Sequence, residues 1–276
     1  MYSILEHYLS TNHILMIGMI VTFILTFFLL EHPFSFLPSD QGRAFAVNGS
    51  LSKGKLRGVG FIFVLCFLIS SVLFLPLDVE YVIYGILLFA MMISGYLDDA
   101  SKTPWNEYKK GLIDLVISVV AVLTYMNFNS TTICFGADEI VIPKALFLIL
   151  GVILIWVSVN VTNCTDGVDG LCASLCSVTL LAFGVLFAPI LQKYAMANFL
   201  FLSVLFAYLY FNSSPSSMLM GDAGSRALGF YIAVIALKST HPFIGNDRGR
   251  RNRACEDSAQ ALFEDFHSEK DENTAA

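Results

Sequence analysis

The stretch LFLILGVILIWVSVNVTNCTDGVDGL, residues 146 to 171, changes character partway along. Its first part holds no ionisable residue, and the apolar run from about 144 to 162 is close to the 20 or so residues that one helix needs to cross a hydrocarbon core. Its second part sets Asn160, Asn163, Asp166 and Asp169 at steps of three, with Gly167 and Gly170 alongside. A membrane span that delivers polar groups at one end is therefore the unit of this fold. Seven more apolar runs lie outward from it, at about 13 to 31, 59 to 77, 79 to 97, 112 to 127, 171 to 190, 195 to 211 and 225 to 240. The expected fold class is all-α, a polytopic integral-membrane helix bundle of about eight spans, several of them short enough to tilt or re-enter.

Composition agrees. The 276 residues are 56% hydrophobic and 14% charged, with a mean hydropathy of +0.70, whereas soluble domains carry about 25% charged residues. The charges are uneven: residues 1 to 240 hold 25 of the 38 and residues 241 to 276 the other 13. Secreted disulfide scaffolds, nucleic-acid binders and disordered regulators are excluded on these grounds. The six cysteines lack zinc-type spacing and fall mostly in apolar segments, where Cys acts as a small hydrophobe. No basic stretch precedes the first run and no small-residue cleavage site follows it, so it reads as a retained span.

Alternating the spans puts segments 32 to 58, 98 to 111, 163 to 170 and 212 to 224 on one side. That side carries seven Lys or Arg, among them Lys53, Lys55, Arg57, Lys109 and Lys110, whereas the other offers only Lys144, Lys193 and Lys238. The positive-inside rule makes the first side cytoplasmic and the N-terminus external.

Carboxylates gather on that same side. The third span ends in Gly95-Tyr96-Leu97-Asp98-Asp99, and MLMGDAGS before the last span carries Asp222. Asn and Asp at helix ends often serve only as caps, but three separate segments bringing carboxylates to one depth need a cation or a function to hold them. If the helix continues past residue 162, the four polar residues at steps of three share one of its sides. Asp98 and Asp99 diverge by about 100 degrees on a helix and suit separate tasks. Asp222 resembles a helix N-terminal site, where free N–H groups favour phosphate. Carboxylates, an Asn and nearby basic groups match what Mg2+ with a phosphorylated ligand requires.

These residues resemble the polyprenyl-phosphate N-acetylhexosamine-1-phosphate transferases over roughly residues 38 to 240. The resemblance rests on Asp98-Asp99, on the NxxNxxDGxDGL string from Asn160 to Leu171, and on Met220-Gly-Asp222-Ala-Gly-Ser225. Asp40 to Gly60 looks most like the branch that transfers phospho-N-acetylmuramoyl-pentapeptide. The resemblance implies that a polyprenyl phosphate attacks a UDP-activated amino sugar, with UMP leaving and Mg2+ as cofactor, in cell-wall synthesis at the bacterial plasma membrane. It implies catalytic roles for Asp98, Asp99 and Asp166, metal contacts from Asn163, Asp222 and Asp99, and substrate contacts from Asn160, Asp169, Gly167 and Lys53. The basic residue after the Asp pair is Lys110 or, equally, Lys109. The expected partners are the lipid phosphate, the UDP-sugar and a second copy of the chain, with no nucleic acid.

Two departures stand out. Where relatives carry a GTPTMGG-like string, this chain reads Gly54-Lys-Leu-Arg-Gly-Val-Gly60. The family's last two spans and His-rich loop are replaced by a hydrophilic tail, residues 241 to 276, expected to be disordered or to come from a shifted reading frame. Three alternatives stay open: a UDP-N-acetylglucosamine donor, an inactive remnant, and a transporter, since membrane carboxylates also mark ion paths.

Overall fold

The computed structural model describes residues 1–32, 34–40, 53–101, 103, 105–135, 138–189 and 191–239. The expected tail at 241 to 276 lies outside them. Nine helices and one hairpin follow in order among these residues: α1 (Tyr2–Leu5), α2 (Thr11–Glu31), α3 (Gly60–Phe74), α4 (Val79–Asp99), α5 (Glu107–Phe128), β1 (Thr132–Phe135), β2 (Asp138–Val141), α6 (Lys144–Thr165), α7 (Leu171–Phe187), α8 (Gln192–Asn212) and α9 (Gly221–Ser239). Helices α2 to α9 coincide with the eight apolar runs. The short strands pair antiparallel, Thr132 opposite Val141.

Five helices, α2, α4, α5, α6 and α8, are long and apolar enough to cross a membrane. The other three of the eight differ for physical reasons. Helix α3 has 15 residues, about 22 Å at 1.5 Å per residue, and α7 has 17. Helix α9 carries Asp222, Arg226 and Lys238 within 19 residues.

Those charges are tolerable because α9 is the centre of the bundle. Sixteen of its 19 residues are buried, chiefly against α4 and α6, with α3 and α7 completing the wrap. Helices in lipid gain little from mutual hydrophobic burial, so close packing at small residues takes over. A Cβ on Gly60 of α3 would stand 2.1 Å from the Gly224 nitrogen, and one on Gly95 of α4 would stand 2.3 Å from the Asp222 carbonyl oxygen. Backbone thus meets backbone where α3 and α4 cross the start of α9.

The two ends of the bundle are pinned by polar groups. Asp78 caps α4 by accepting from the Tyr81 N–H at 2.8 Å, and Asn106 caps α5 through the Tyr108 N–H. At the end of α9, buried Lys238 donates to both oxygens of Glu80 on α4, at 3.0 and 2.9 Å, and to Asn129 after α5 at 2.7 Å. That ion pair sets the register of α9 against its neighbours at the end remote from Asp222.

Candidate active site

The C-terminus of α4, the N-termini of α5 and α9 and the segment before α3 meet at one end of the bundle. Asp98 and Asp99 close α4 but face different partners, as the helix geometry requires. Asp98 accepts from the Trp105 N–H at 2.7 Å and pairs with the Lys110 ammonium at 2.6 Å. Asp99 accepts from Arg57 Nε at 2.8 Å and from the Ala223 N–H at 3.0 Å.

That second bond changes the expectation for the start of α9. Its N–H groups do receive an anion there, but the anion is the chain's own Asp99. Gly221 makes the approach possible: its φ is +67°, and a Cβ would lie 2.3 Å from Asp99 Oδ2, so a side chain would both clash and strain the backbone. Asp222 then places one oxygen 3.1 Å from Lys110 Nζ and the other 3.4 Å from Arg57 Nη2. Arg57 also reaches buried Asp40 at 3.4 Å. Burial works against the Arg57 charge, but Asp99, Asp222 and Asp40 hold its guanidinium above its ordinary pKa.

The α6 motif is built differently from a continuous helix side. Helix α6 ends at Thr165 with Asp166 as its C-cap, and Gly170 at φ +76° starts α7. The step-of-three side is therefore interrupted after Asn163, because the DG pairs turn the chain. Asn163 points inward and donates Nδ2 to Ser225 of α9 at 3.2 Å. Asn160 is exposed and spends its amide on the Trp156 carbonyl at 2.7 Å. Asp169 accepts from the Ser216 N–H at 3.1 Å and lies 3.8 Å from Lys55, which also donates to the Ser216 hydroxyl at 2.8 Å. Burial raises the Asp169 carboxyl, but Ser216 and Lys55 outweigh it and hold the group below the usual range. Gly167 is exposed at the turn.

Of the two candidate lysines, Lys110 enters the carboxylate cluster. Lys109 is exposed, with its ammonium 3.3 Å from the centre of the Trp105 ring. Lys53 is exposed and joins none of the ion pairs among the described residues.

Three features escaped the sequence reading. Asn212, closing α8, accepts from the Gly170 N–H and donates to the Met218 carbonyl, both at 3.0 Å, tying the α6 motif to the α9 motif. Arg57 is the hub of the cluster, although in the string before α3 it read as a topology marker or as one of several basic groups for phosphate, not as the partner of three carboxylates. Asp114 and Arg226 form a buried ion pair between α5 and α9. No spacing rule links residues so far apart.

The donor set suits Mg2+ in kind. Asp99, Asp222 and Asn163 offer only hard oxygen ligands, and Mg2+ commonly takes one or two carboxylates beside waters and substrate phosphate. The arrangement is not a preformed cage: among the described residues no three His, Cys, Asp or Glu converge to hold a metal ion. Arg57 and Lys110 fill the ground between the carboxylates.

Residues 81–240 match the family model described as glycosyl transferase family 4. A phospho-N-acetylmuramoyl-pentapeptide-transferase of Treponema pallidum (strain Nichols) is 35% identical over 250 residues, 83% of this chain and 69% of that protein. The transferase of the same name from Microcystis aeruginosa is 31% identical over 66% of this chain and 53% of its own length. That from Dictyoglomus turgidum is 26% identical over 82% and 74%. The matched span runs from the start of α4 through the last described residue of α9, and so takes in Asp98, Asp99, the α6 motif and Asp222 together. On that match and the Treponema relative, the chain, a polytopic membrane protein, belongs to glycosyl transferase family 4.

Proposed function

We propose that this chain transfers phospho-N-acetylmuramoyl-pentapeptide from its UDP-activated form to polyprenyl phosphate, on the cytoplasmic face of a bacterial plasma membrane. The observation that carries the reading is the meeting of Asp98, Asp99, Asp222, Lys110 and Arg57 at one end of a membrane bundle. A lipid phosphate and a soluble nucleotide can reach such a place together. The transporter alternative calls for ionisable groups along a path through the membrane, whereas this cluster sits at helix ends.

In the proposed reaction an oxygen of the lipid phosphate attacks the phosphorus attached to the sugar. The bond from that phosphorus to the UMP oxygen breaks, UMP carries off the electron pair, and a lipid pyrophosphoryl sugar, lipid I, remains. Such transfers depend on charge neutralisation and alignment more than on covalent help. A divalent cation on Asp99, Asp222 and Asn163 would supply Lewis-acid neutralisation of the pyrophosphate. Lys110 meets the lipid phosphate, and Asp166 and Asp169 at the α6–α7 turn, with Gly167 and Asn160, face the nucleotide.

A phosphate monoester has a second pKa near 6, so the lipid nucleophile is mostly dianionic at neutral pH and needs no base. Asp98 then acts by holding Lys110 and the Trp105 N–H in place. Asp98→Asn is expected to lower kcat about 100-fold, the scale of a 1 Å misplacement, with the acidic limb of the pH–rate profile unchanged. Loss of that limb would instead make Asp98 a proton acceptor. The reading as a whole is tested by UMP release from the purified chain with polyprenyl phosphate and each donor in turn. Release with UDP-N-acetylmuramoyl-pentapeptide supports it. Release with UDP-N-acetylglucosamine alone would replace the donor, and nucleotide binding without release from either would make the chain an inactive remnant.

A further inference from the structure

Each oxygen of Asp99 and Asp222 already has a cationic or N–H partner. Asp99 gives Oδ1 to Arg57 and Oδ2 to the Ala223 N–H. Asp222 gives Oδ1 to Arg57 and Oδ2 to Lys110. Arg57 is common to both, and its third nitrogen faces Asp40. The layering is equally informative. The Arg57 side chain is 27% exposed, whereas those of Asp99 and Asp222 are 0% and 11% exposed. Arg57 is therefore the most water-accessible of the three, and an ion reaching the two carboxylates must contend with a guanidinium already paired to both.

A divalent cation and a guanidinium placed against the same two carboxylates compete for the same lone pairs and repel each other. We propose that Arg57 is an internal cation that holds Asp99 and Asp222 in the ligand-free chain, and that a divalent ion binds this pair only by displacing it. This deepens the proposed function, since it rests on a divalent ion being used there. The displaced side chain has a natural destination: its planar fork of donors matches a phosphate oxygen pair, so the donor's diphosphate would receive it. Metal and nucleotide would then bind with positive cooperativity, because each removes an obstacle to the other.

The test is a Mn2+ titration of the full chain in detergent without substrate, read by loss of the free-ion signal in electron paramagnetic resonance. Arg57→Gln is expected to bind Mn2+ about tenfold more tightly than the parent, the scale of removing one charge-assisted hydrogen bond. Adding Asp222→Asn to that variant is expected to cancel the gain. A second measurement needs no variant. Reaction of Arg57 with phenylglyoxal, followed by mass spectrometry on the parent chain, is expected to accelerate when Mn2+ is added. Equal Mn2+ affinity in parent and Arg57→Gln, or Mn2+-independent labelling of Arg57, would overturn the displacement and leave the metal reading standing. If UMP release proceeds undiminished in excess chelator and no Mn2+ binds either protein, the metal reading itself falls, and the displacement with it.

Discussion

Gly95→Ala is expected to reduce UMP release by at least about 100-fold and to lower the thermal stability of the detergent-solubilised chain, although it adds only one methyl group. The new Cβ would stand 2.3 Å from the Asp222 carbonyl oxygen, 2.5 Å from its carbonyl carbon and 2.6 Å from the Ala223 nitrogen. All three are backbone atoms of the first turn of α9, so no side-chain rotation relieves the contact. Either α4 and α9 separate or the first turn of α9 unwinds, and both outcomes carry Asp222 away from Lys110 and the Ala223 N–H away from Asp99. Overpacking of this kind costs about 1 to 3 kcal/mol, and a displacement near 1 Å at a reacting centre costs about 100-fold in rate.

The same helix supplies the control. A Cβ on Gly85 would find its nearest atom, Leu68 Cδ2, at 3.8 Å, an ordinary contact. Gly85→Ala should therefore leave activity unchanged and raise stability by up to about 1 kcal/mol through helix propensity. Equal behaviour of the two variants in thermal unfolding and UMP release would show that the close crossing of α4 and α9 does not set the site.

The comparison of these two glycines also shows what the sequence could and could not reveal. Both stand in apolar α4, and although Gly95 opens the polar end that carries Asp98 and Asp99, nothing along the chain says that another backbone lies against it; only the partner helix does. Apolar runs and their polar ends could be read along the chain because a membrane imposes a length on each span and confines charge to the ends. Asp98, Asp99 and Asp222 were legible for that reason. The break after Asn163 was only half legible: Gly167 and Gly170 signalled a turn, but whether α6 ran on depended on Asn212 waiting at the end of α8 to accept from Gly170. The role of Arg57 was hidden more completely. An Arg just after Lys53 and Lys55 reads as one more basic group of a loop, of the kind that marks topology or meets phosphate, and its three carboxylate partners come from residues 40, 99 and 222, brought together only by the folded bundle.

Asp114 and Arg226 offer the second large effect, because they extend the site one turn into the bundle. On α5, Asp114 follows Lys110 by four residues; on α9, Arg226 follows Asp222 by four. Residues four apart share a helix face, so the Lys110–Asp222 contact at 3.1 Å and the buried Asp114–Arg226 pair are stacked, with the charges reversed between the two helices. Sliding α5 by one turn against α9 would set Lys110 beside Arg226, opposing like charges, so the stack specifies a single register. Side-chain exposures of 3% and 2% leave neither group access to water, and Arg226 Nε and Nη1 have no hydrogen-bond partner among the described residues. Removing one member strands the other charge in the bundle at a cost of about 3 to 5 kcal/mol. Asp114→Leu and Arg226→Met are each expected to melt far below the parent and to lose UMP release as Lys110 drifts from Asp98. Replacing both, as Asp114→Leu with Arg226→Met, removes the stranded charge and is expected to return most of the stability, since apolar substitutes for a buried pair are often neutral or better. Thermal unfolding of the four proteins closes the cycle: a double variant more stable than either single one shows the coupling, whereas single losses that simply add would show that the two charges sit together without depending on each other.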